Sequence, residues 1–333
     1  MDKPADSLLD NPFEKPSGKQ VAIIIYNPLA GRGKGQHYAQ LAKSKLKQQN
    51  WEVLEVIATE YAGHAETDIV PTWSEKVDVI IVVAGDGTLR EVVTGLLNIK
   101  SNTLLGFVPL GNANVVAREF GIPLNPEHAI AGLPGYEIRT ADVGLFKTQN
   151  QTLRYFLAMV EVGQGAKVVH LVDQLRQGVL KRIYRWWGDL VYIIAGLMAL
   201  KKEPMNDFSL KVENNDKQSG YQRAVFACME TYSKGWSMTP GAKCDDGELD
   251  FSASKRSDFI AFTSQTLASA QRRKINRDWM RYGKGQQFDV IAKKPMFIQA
   301  DGDAVDCSDS LHIEVIPCAY RILAPSISNT EKK

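Results

Sequence analysis

Between residues 21 and 121 the chain alternates short, almost uncharged runs rich in β-branched residues with amphipathic helical stretches, and this alternation restricts its fold more than any other feature. "VAIIIYN" (21–27), "WEVLEVIAT" (51–59), "VDVIIVVA" (77–84) and "TLLGFVP" (103–109) have the apolar continuity of strands buried on both faces. Helical patterns follow them, as in "HYAQLAKSKLKQQN" (37–50). Strands that alternate with helices imply a parallel sheet covered on both sides, so an open α/β fold is predicted for residues 20–140. Beyond that point the rhythm changes. "LRYFLAMVEVG", "FSLKVENN", "QRAVFACME", "LDFSASK", "FDVIAKK" and "LHIEVIP" are strand-like stretches separated by turn residues, which predicts a second, mainly antiparallel β domain over 141–309. One helical segment, "LRQGVLKRIYRWWGDLVYIIAGLMALKKE", is expected to interrupt it over 175–202.

The net charge of +2 over 333 residues gives no argument for nucleic-acid binding, and none is expected. Cys228, Cys244, Cys307 and Cys318 form no C-x-x-C pair, and the polar, proline-broken start has no signal-type core, so a reducing, cytoplasmic setting is expected. The longest uncharged apolar run, Leu190 to Leu200, is about half the roughly 20 residues a spanning helix needs.

Three glycine-rich loops fall where a strand gives way to a helix. In "AGDGTLRE", Thr88 and Glu91 have the spacing of a capping box, while Gly85 and Gly87 let another molecule approach backbone amides that suit phosphate. Asp86 between them is either a turn residue or a carboxylate that works through a metal or hydroxyl. "NPLAGRGKG" offers Gly31, Gly33, Gly35, Arg32 and Lys34 to phosphate, but its spacing fits neither a Walker A loop nor a dinucleotide fingerprint. In "PLGNANVVAREFGIP", Asn112 is expected to cap a helix and Asn114 to turn inward. Three such loops at the carboxyl edge of one parallel sheet would line one crevice, where open α/β proteins bind ligands.

With these motifs in view, "NPLAGRGKG", "GDGTLREV", "PLGNANVVAREFG", "PGAKCDDGELD" and "QADGDAV" resemble, in order and approximate spacing, the bacterial diacylglycerol-kinase-like lipid kinases, relatives of sphingosine and ceramide kinases. The resemblance implies an α/β domain like that of NAD and diacylglycerol kinases, a β-sandwich second domain, and a return of about residues 310–327 to the first. It implies ATP as phosphoryl donor, with Asn27, Pro28, Gly31, Lys34, Thr59, Gly85, Asp86, Gly87, Thr88, Leu89, Arg90, Glu91, Asn112 and Asn114 as nucleotide contacts. Asp86 and Asp142 then belong to an acidic network linked to Mg2+, and "QADGDAV" carries the general base at Asp301, with Asp303 where the family has Glu. "AKCDDGELD" resembles a structural magnesium site made from the Asp246 carboxylate and the carbonyls of Lys243 and Glu248. Without the resemblance, both acidic stretches read as turns.

The sequence departs from the family pattern at Ala84, Asn112 and Val115, and the last removes an acid from the implied metal network. An ATP-dependent lipid kinase is therefore expected, acting at an anionic membrane surface as a peripheral protein, with a homodimer left open. The rivals are a soluble phosphotransferase like NAD kinase and a nucleotide-binding module without turnover. The helical segment, with Leu180, Ile183, Tyr184, Trp187, Val191 and Ile194 at helical spacing beside Lys181, Arg182 and Arg185, suits either a membrane interface or a core-packing helix. The basic run 271–285 reads as a solvated face or a contact for anionic lipid.

Overall fold

In the computed structural model, which describes residues 18–177, 207–213, 215–232 and 235–326, the chain divides into two units. The first runs to Ala141 and resumes at Ala319; the second is Asp142–Cys318.

The first unit is built on β1 (Val21–Tyr26), β2 (Glu52–Ala58), β3 (Val79–Ala84) and β4 (Leu104–Pro109). They pair in the order β4-β3-β1-β2, every pair parallel, as the alternation of the sequence requires. Every residue of β3 and β4 is buried, which explains why these strands read as unbroken apolar runs. On its free side β4 meets the end of the chain, with Ile322 opposite Leu105. The connections hold α1 (Ala30–Gly33), α2 (Gly35–Gln48), α3 (Val70–Trp73), α4 (Asp86–Asn98), α5 (Val115–Glu119) and α6 (Pro126–Gly132). Leu89, Val92, Val93 and Leu96 form the buried stripe of α4, each contributing roughly 1.5–3 kcal/mol of burial.

The second unit contains β5 (Glu137–Thr148) from Asp142 on, β6 (Leu153–Phe156), β7 (Met159–Gly163), α7 (Gln164–Gln177), β8 (Phe208–Val212), β9 (Gln218–Tyr221) and β10 (Arg223–Ala227). It continues with β11 (Leu249–Ser254), α8 (Phe259–Ala270), β12 (Met280–Gly285), β13 (Gln287–Ala300) and β14 (Asp303–Ala324), the last six residues of which belong to the first unit. Strands β12-β11-β10-β7-β13 form an antiparallel surface. The first part of β13 pairs with β8 and its last three residues with β7, and between them the register shifts around Pro295, which has no N–H to give a ladder. Phe226, Phe251 and Phe288 fill the core, with ring centroids 4.9 and 5.6 Å from Phe288.

The α/β class of the first domain and the antiparallel β class of the second are as expected from the sequence. Three details differ. "LRYFLAMVEVG" is two strands, broken at Leu157 and Ala158. The helix expected from residue 175 starts already at Gln164, and its interface-like part, Leu180 to Lys202, lies outside the described residues. Helix α8, started by Asp258 whose Oδ1 accepts the Ala261 N–H at 3.0 Å, was not anticipated. Among the described residues no helix is long and apolar enough to cross a membrane.

Candidate active site

The carboxyl ends of β1, β2, β3 and β4 carry the residues expected at a nucleotide. After β1, Asn27 Oδ1 accepts the Leu29 N–H at 2.9 Å and the Asn27 carbonyl accepts that of Ala30 at 3.1 Å. The loop then turns through left-handed backbone at Gly31, Arg32 and Gly33. Gly35 opens α2 directly on this loop, and a Cβ there would lie 2.0 Å from the Asn27 carbonyl oxygen. Pro28 and Lys34 are exposed, and Thr59, at the end of β2, donates its N–H to Tyr26 next door at 2.9 Å.

After β3 the helix begins two residues before the expected cap. Gly85 is the N-cap of α4 and no side chain caps it, so the capping box expected of Thr88 and Glu91 is not formed. Thr88 and Leu89 are instead buried in its first turn, while Arg90 and Glu91 are half-buried. Gly85 faces Gly111 of the loop after β4 so closely that a Cβ on Gly85 would lie 3.1 Å from the Gly111 Cα. Gly31 donates its N–H to Leu110 at 3.0 Å, so the three loops are joined backbone to backbone. At Gly87, by contrast, a Cβ would meet nothing within 4 Å: here the first turn of α4 is open to a ligand. Such a turn presents amides and the positive end of the helix dipole, and with the glycine-lined loops it fits the phosphates of a nucleotide.

The loop after β4 departs from expectation. Asn112 is exposed and caps nothing; α5 starts at Val115, with Asn114 before it in left-handed backbone. The Asn114 amide holds Gly111, its Oδ1 accepting the Gly111 N–H at 2.8 Å and its Nδ2 donating to the Gly111 carbonyl at 2.9 Å. It shapes the loop. Asp86 Oδ1 accepts the Val116 N–H at 3.2 Å, which ties the start of α4 to that of α5.

In the second unit, Asp301 sits in the left-handed turn between β13 and β14. Its Oδ2 accepts the Leu157 N–H at 2.8 Å, and its Oδ1 accepts those of Ala158 and Met159 at 2.9 and 3.1 Å. The carboxylate is therefore held rigidly at the break between β6 and β7. Asp303 forms an ion pair with Arg154 at 2.6 Å. Behind the turn lies a buried polar chain that the sequence reading missed. Gln299 Oε1 accepts the Gly302 N–H at 3.0 Å, Gln299 Nε2 donates to Glu161 at 3.0 Å, and Glu161 pairs with Arg223 at 2.6 Å. Arg223 also donates to Gln265 of α8 at 2.6 Å. The signal was present as charges inside apolar strands, in "LAMVEVG" and "QRAVF".

The loop expected to hold structural magnesium is organised by other means. Asp142 is fully buried, with Oδ2 accepting the Gly247 N–H at 2.7 Å and Oδ1 the Cys318 N–H at 2.8 Å. Burial raises its carboxyl above the ordinary value, against the lowering effect of these amides, and Asp246 and Asp245 add to the rise. Asp246 receives the Lys284 ammonium at 2.5 Å, and Asp250 lies 3.2 Å from the same nitrogen. Burial alone would lower Lys284; Asp246 and Asp250 outweigh it and raise its pKa. Lys243 is exposed and Glu248 half-buried, its N–H given to Asp246 Oδ1 at 3.2 Å. Among the described residues no three acidic, histidine or cysteine side chains converge as ligands. A carboxylate already neutralised by an ammonium does not fit a magnesium cage. The thiol of Cys228, fully buried, is pushed well above its usual range by that burial, which makes it inert.

A parallel α/β unit with phosphate-fitting loops at its carboxyl edge, followed by an antiparallel unit with a clamped Asp-Gly-Asp turn, is the arrangement of a kinase of the lipid-kinase class. Residues 21–146 match the diacylglycerol kinase catalytic domain, and residues 158–324 match the YegS C-terminal NAD kinase beta sandwich-like domain. The chain belongs to the diacylglycerol-kinase-like lipid kinase family that these two domains define. It is 26% identical over 289 residues to a diacylglycerol kinase of Bacillus subtilis strain 168, covering 85% of this chain and 89% of that one. It is 24% identical to a diacylglycerol kinase of Staphylococcus saprophyticus, with coverage of 85% and 88%. A crystal structure of a diacylglycerol kinase from Bacillus anthracis superposes with a TM-score of 0.69 at 18% identity, covering 92% of this chain and 97% of that one, a likeness of fold.

Proposed function

We propose that this chain is an ATP-dependent kinase that transfers the γ-phosphoryl group to the hydroxyl of a diacylglycerol-like lipid, working as a peripheral protein on an anionic membrane surface. The observation that carries the reading is the joined set of loops at Asn27, Gly85 and Gly111, with the first turn of α4 open at Gly87. Backbone amides there suit the β- and γ-phosphates, and Asn27 and Thr59 stand at the neighbouring strand ends. Asp86 is the acid at this edge that would hold a magnesium ion accompanying the nucleotide, where such an ion neutralises phosphate charge.

Asp301 is the proton acceptor of this reading. Three amides fix the direction in which its carboxylate faces, so that an incoming hydroxyl would meet a positioned base. A lipid hydroxyl presented to it loses its proton as the oxygen attacks the γ-phosphorus. Curated relatives named diacylglycerol kinase support a lipid as the acceptor. The deciding experiment incubates the protein with labelled ATP and magnesium, in parallel with total membrane lipid, with purified diacylglycerol and with NAD. Mass spectrometry of a phosphorylated lipid supports the reading, and label on NAD alone overturns it.

A further inference from the structure

Helix α8 has no charged residue in its twelve positions, FIAFTSQTLASA, although one of its faces is turned to water. Ala261, Gln265 and Ser269 are its buried residues, at the four-residue spacing of one stripe. The opposite side presents Phe259 at 57%, Ile260 at 63% and Leu267 at 60% exposure. A solvent-facing helix side normally carries charge, and this one carries large apolar groups in its place.

Charge gathers at the ends of the helix, and it is predominantly positive. Over residues 255–277 there are six cationic side chains, Lys255, Arg256, Arg272, Arg273, Lys274 and Arg277, against the single acid Asp258. Asp258 is engaged by Arg256 at 2.6 Å while it caps the helix. Arg272 lies 2.9 Å from Glu230, Arg273 donates to Gln271, and Lys274 covers the Tyr282 ring at 5.7 Å. Lys255, Arg272, Arg273, Lys274 and Arg277 are all exposed.

We infer that α8 is a docking face for an anionic bilayer, with Phe259, Ile260 and Leu267 entering the interfacial layer and the flanking cations meeting lipid phosphates. An apolar helix face bounded by cations is the pattern of an interfacial helix, and anionic lipid complements the charge of the flanks. A second copy of the chain would have to bring acid to these cations, and of the acids beside the patch Asp258 and Glu230 are already engaged by Arg256 and Arg272. The inference rests on the lipid-kinase reading for its purpose. Gln265 ties this helix, through Arg223, Glu161 and Gln299, to the Gly302 turn next to Asp301. The docked helix and the acceptor turn thus share one rigid framework.

The test is flotation of the full chain with vesicles of phosphatidylcholine containing about 30 mol% phosphatidylglycerol, at low salt and at about 0.5 M salt. The parent should bind, and the salt should weaken binding. The combined variant Phe259→Ser, Ile260→Ser, Leu267→Ser should lose at least tenfold in affinity, and Arg272→Gln, Arg273→Gln, Lys274→Gln should remove most of the salt dependence. Both variants should keep the parent's melting temperature and its turnover of monomeric short-chain diacylglycerol with ATP. Equal flotation of parent and apolar variant overturns the inference, as does light scattering that shows the parent dimeric and the apolar variant monomeric. If no lipid is phosphorylated by the parent while α8-dependent flotation persists, the docking face stands and the lipid-kinase reading falls.

Discussion

Lys284 Nζ lies 2.5 Å from Asp246 and 3.2 Å from Asp250, so an ammonium from β12 stands between two carboxylates of the segment expected to hold a structural magnesium ion. This lysine supplies from within the chain the positive charge that an ion would bring. Lys284→Met should leave both acids uncompensated and lower stability by about 1–2 kcal/mol, less than for a fully buried pair because Lys284 is 34% exposed. The expected pattern in thermal melts is a parent indifferent to magnesium and a Lys284→Met variant that magnesium partly rescues. A parent whose melting temperature rises by several degrees with magnesium would restore the ion to this site.

Asp142 gives the same region a pH signature. Burial raises its folded pKa above the unfolded one, so in the window between the two the native state holds a proton that the unfolded state has lost. Its favourable contribution is complete below the ordinary carboxylate value and disappears as pH rises through the raised value. Asp142→Asn should abolish that slope. It should also cost about 1–3 kcal/mol, since an amide nitrogen then faces either the Gly247 or the Cys318 N–H. Denaturant melts of both proteins over the acid range, with parallel curves for the two, would contradict this.

The phosphate reading separates two glycines at the carboxyl edge of the sheet. Gly111→Ala should damage the fold, because its Cβ would lie 2.8 Å from both the Gly85 Cα and the Asn114 Oδ1. Gly87→Ala meets nothing within 4 Å and sits inside a helix, where alanine is the better former by about 0.5–1 kcal/mol. Its melting temperature should therefore hold or rise while its KM for ATP rises about tenfold, since the methyl group enters the space of the phosphates. Unchanged nucleotide affinity in Gly87→Ala would place the phosphates elsewhere.

The layout of the sheet was legible in the sequence because β3 and β4 are buried on both faces, and nothing but apolar residues survives there. The ends of the helices were less so. Thr88 and Glu91 have cap spacing, yet α4 starts earlier because Gly85 and Gly111 come into backbone contact, a tertiary event that local spacing does not encode. Asn112 was favoured as a cap over Asn114, which turned out to be bonded twice to Gly111. Helix α8 escaped notice since it lacks the charged face that marks amphipathic helices. Lys284 lies 38 residues from Asp246 in the chain, and only the pairing of β11 with β12 brings them together.

At the acceptor turn, Asp301→Asn should lower turnover by about 10² to 10⁴ while nucleotide binding stays within twofold. Asp303→Asn weakens its partly exposed pair with Arg154 and should cost far less. If the two variants lose activity equally, Asp301 is not the proton acceptor by itself.

The last prediction concerns Gln299, which is fully buried and joins the acceptor turn to the Glu161–Arg223 ion pair. The turn needs the support, for Asp301 and Gly302 both have left-handed backbone, at φ of 49° and 86°. Gln299→Met keeps the volume but removes the acceptor of the Gly302 N–H and one donor to Glu161, which should cost about 1–3 kcal/mol of stability. Were the residue merely structural, activity measured well below the melting temperature would match the parent. As a positioning residue it should lower kcat about tenfold with the KM for ATP unchanged, because the misplaced group would be the carboxylate proposed as proton acceptor, while the loops proposed for the nucleotide belong to the other unit. Gln299→Glu should do worse still, since it sets a second carboxylate against Glu161 in a buried place. A Gln299→Met enzyme with parental kcat at low temperature would reduce this chain of side chains to a core-packing device.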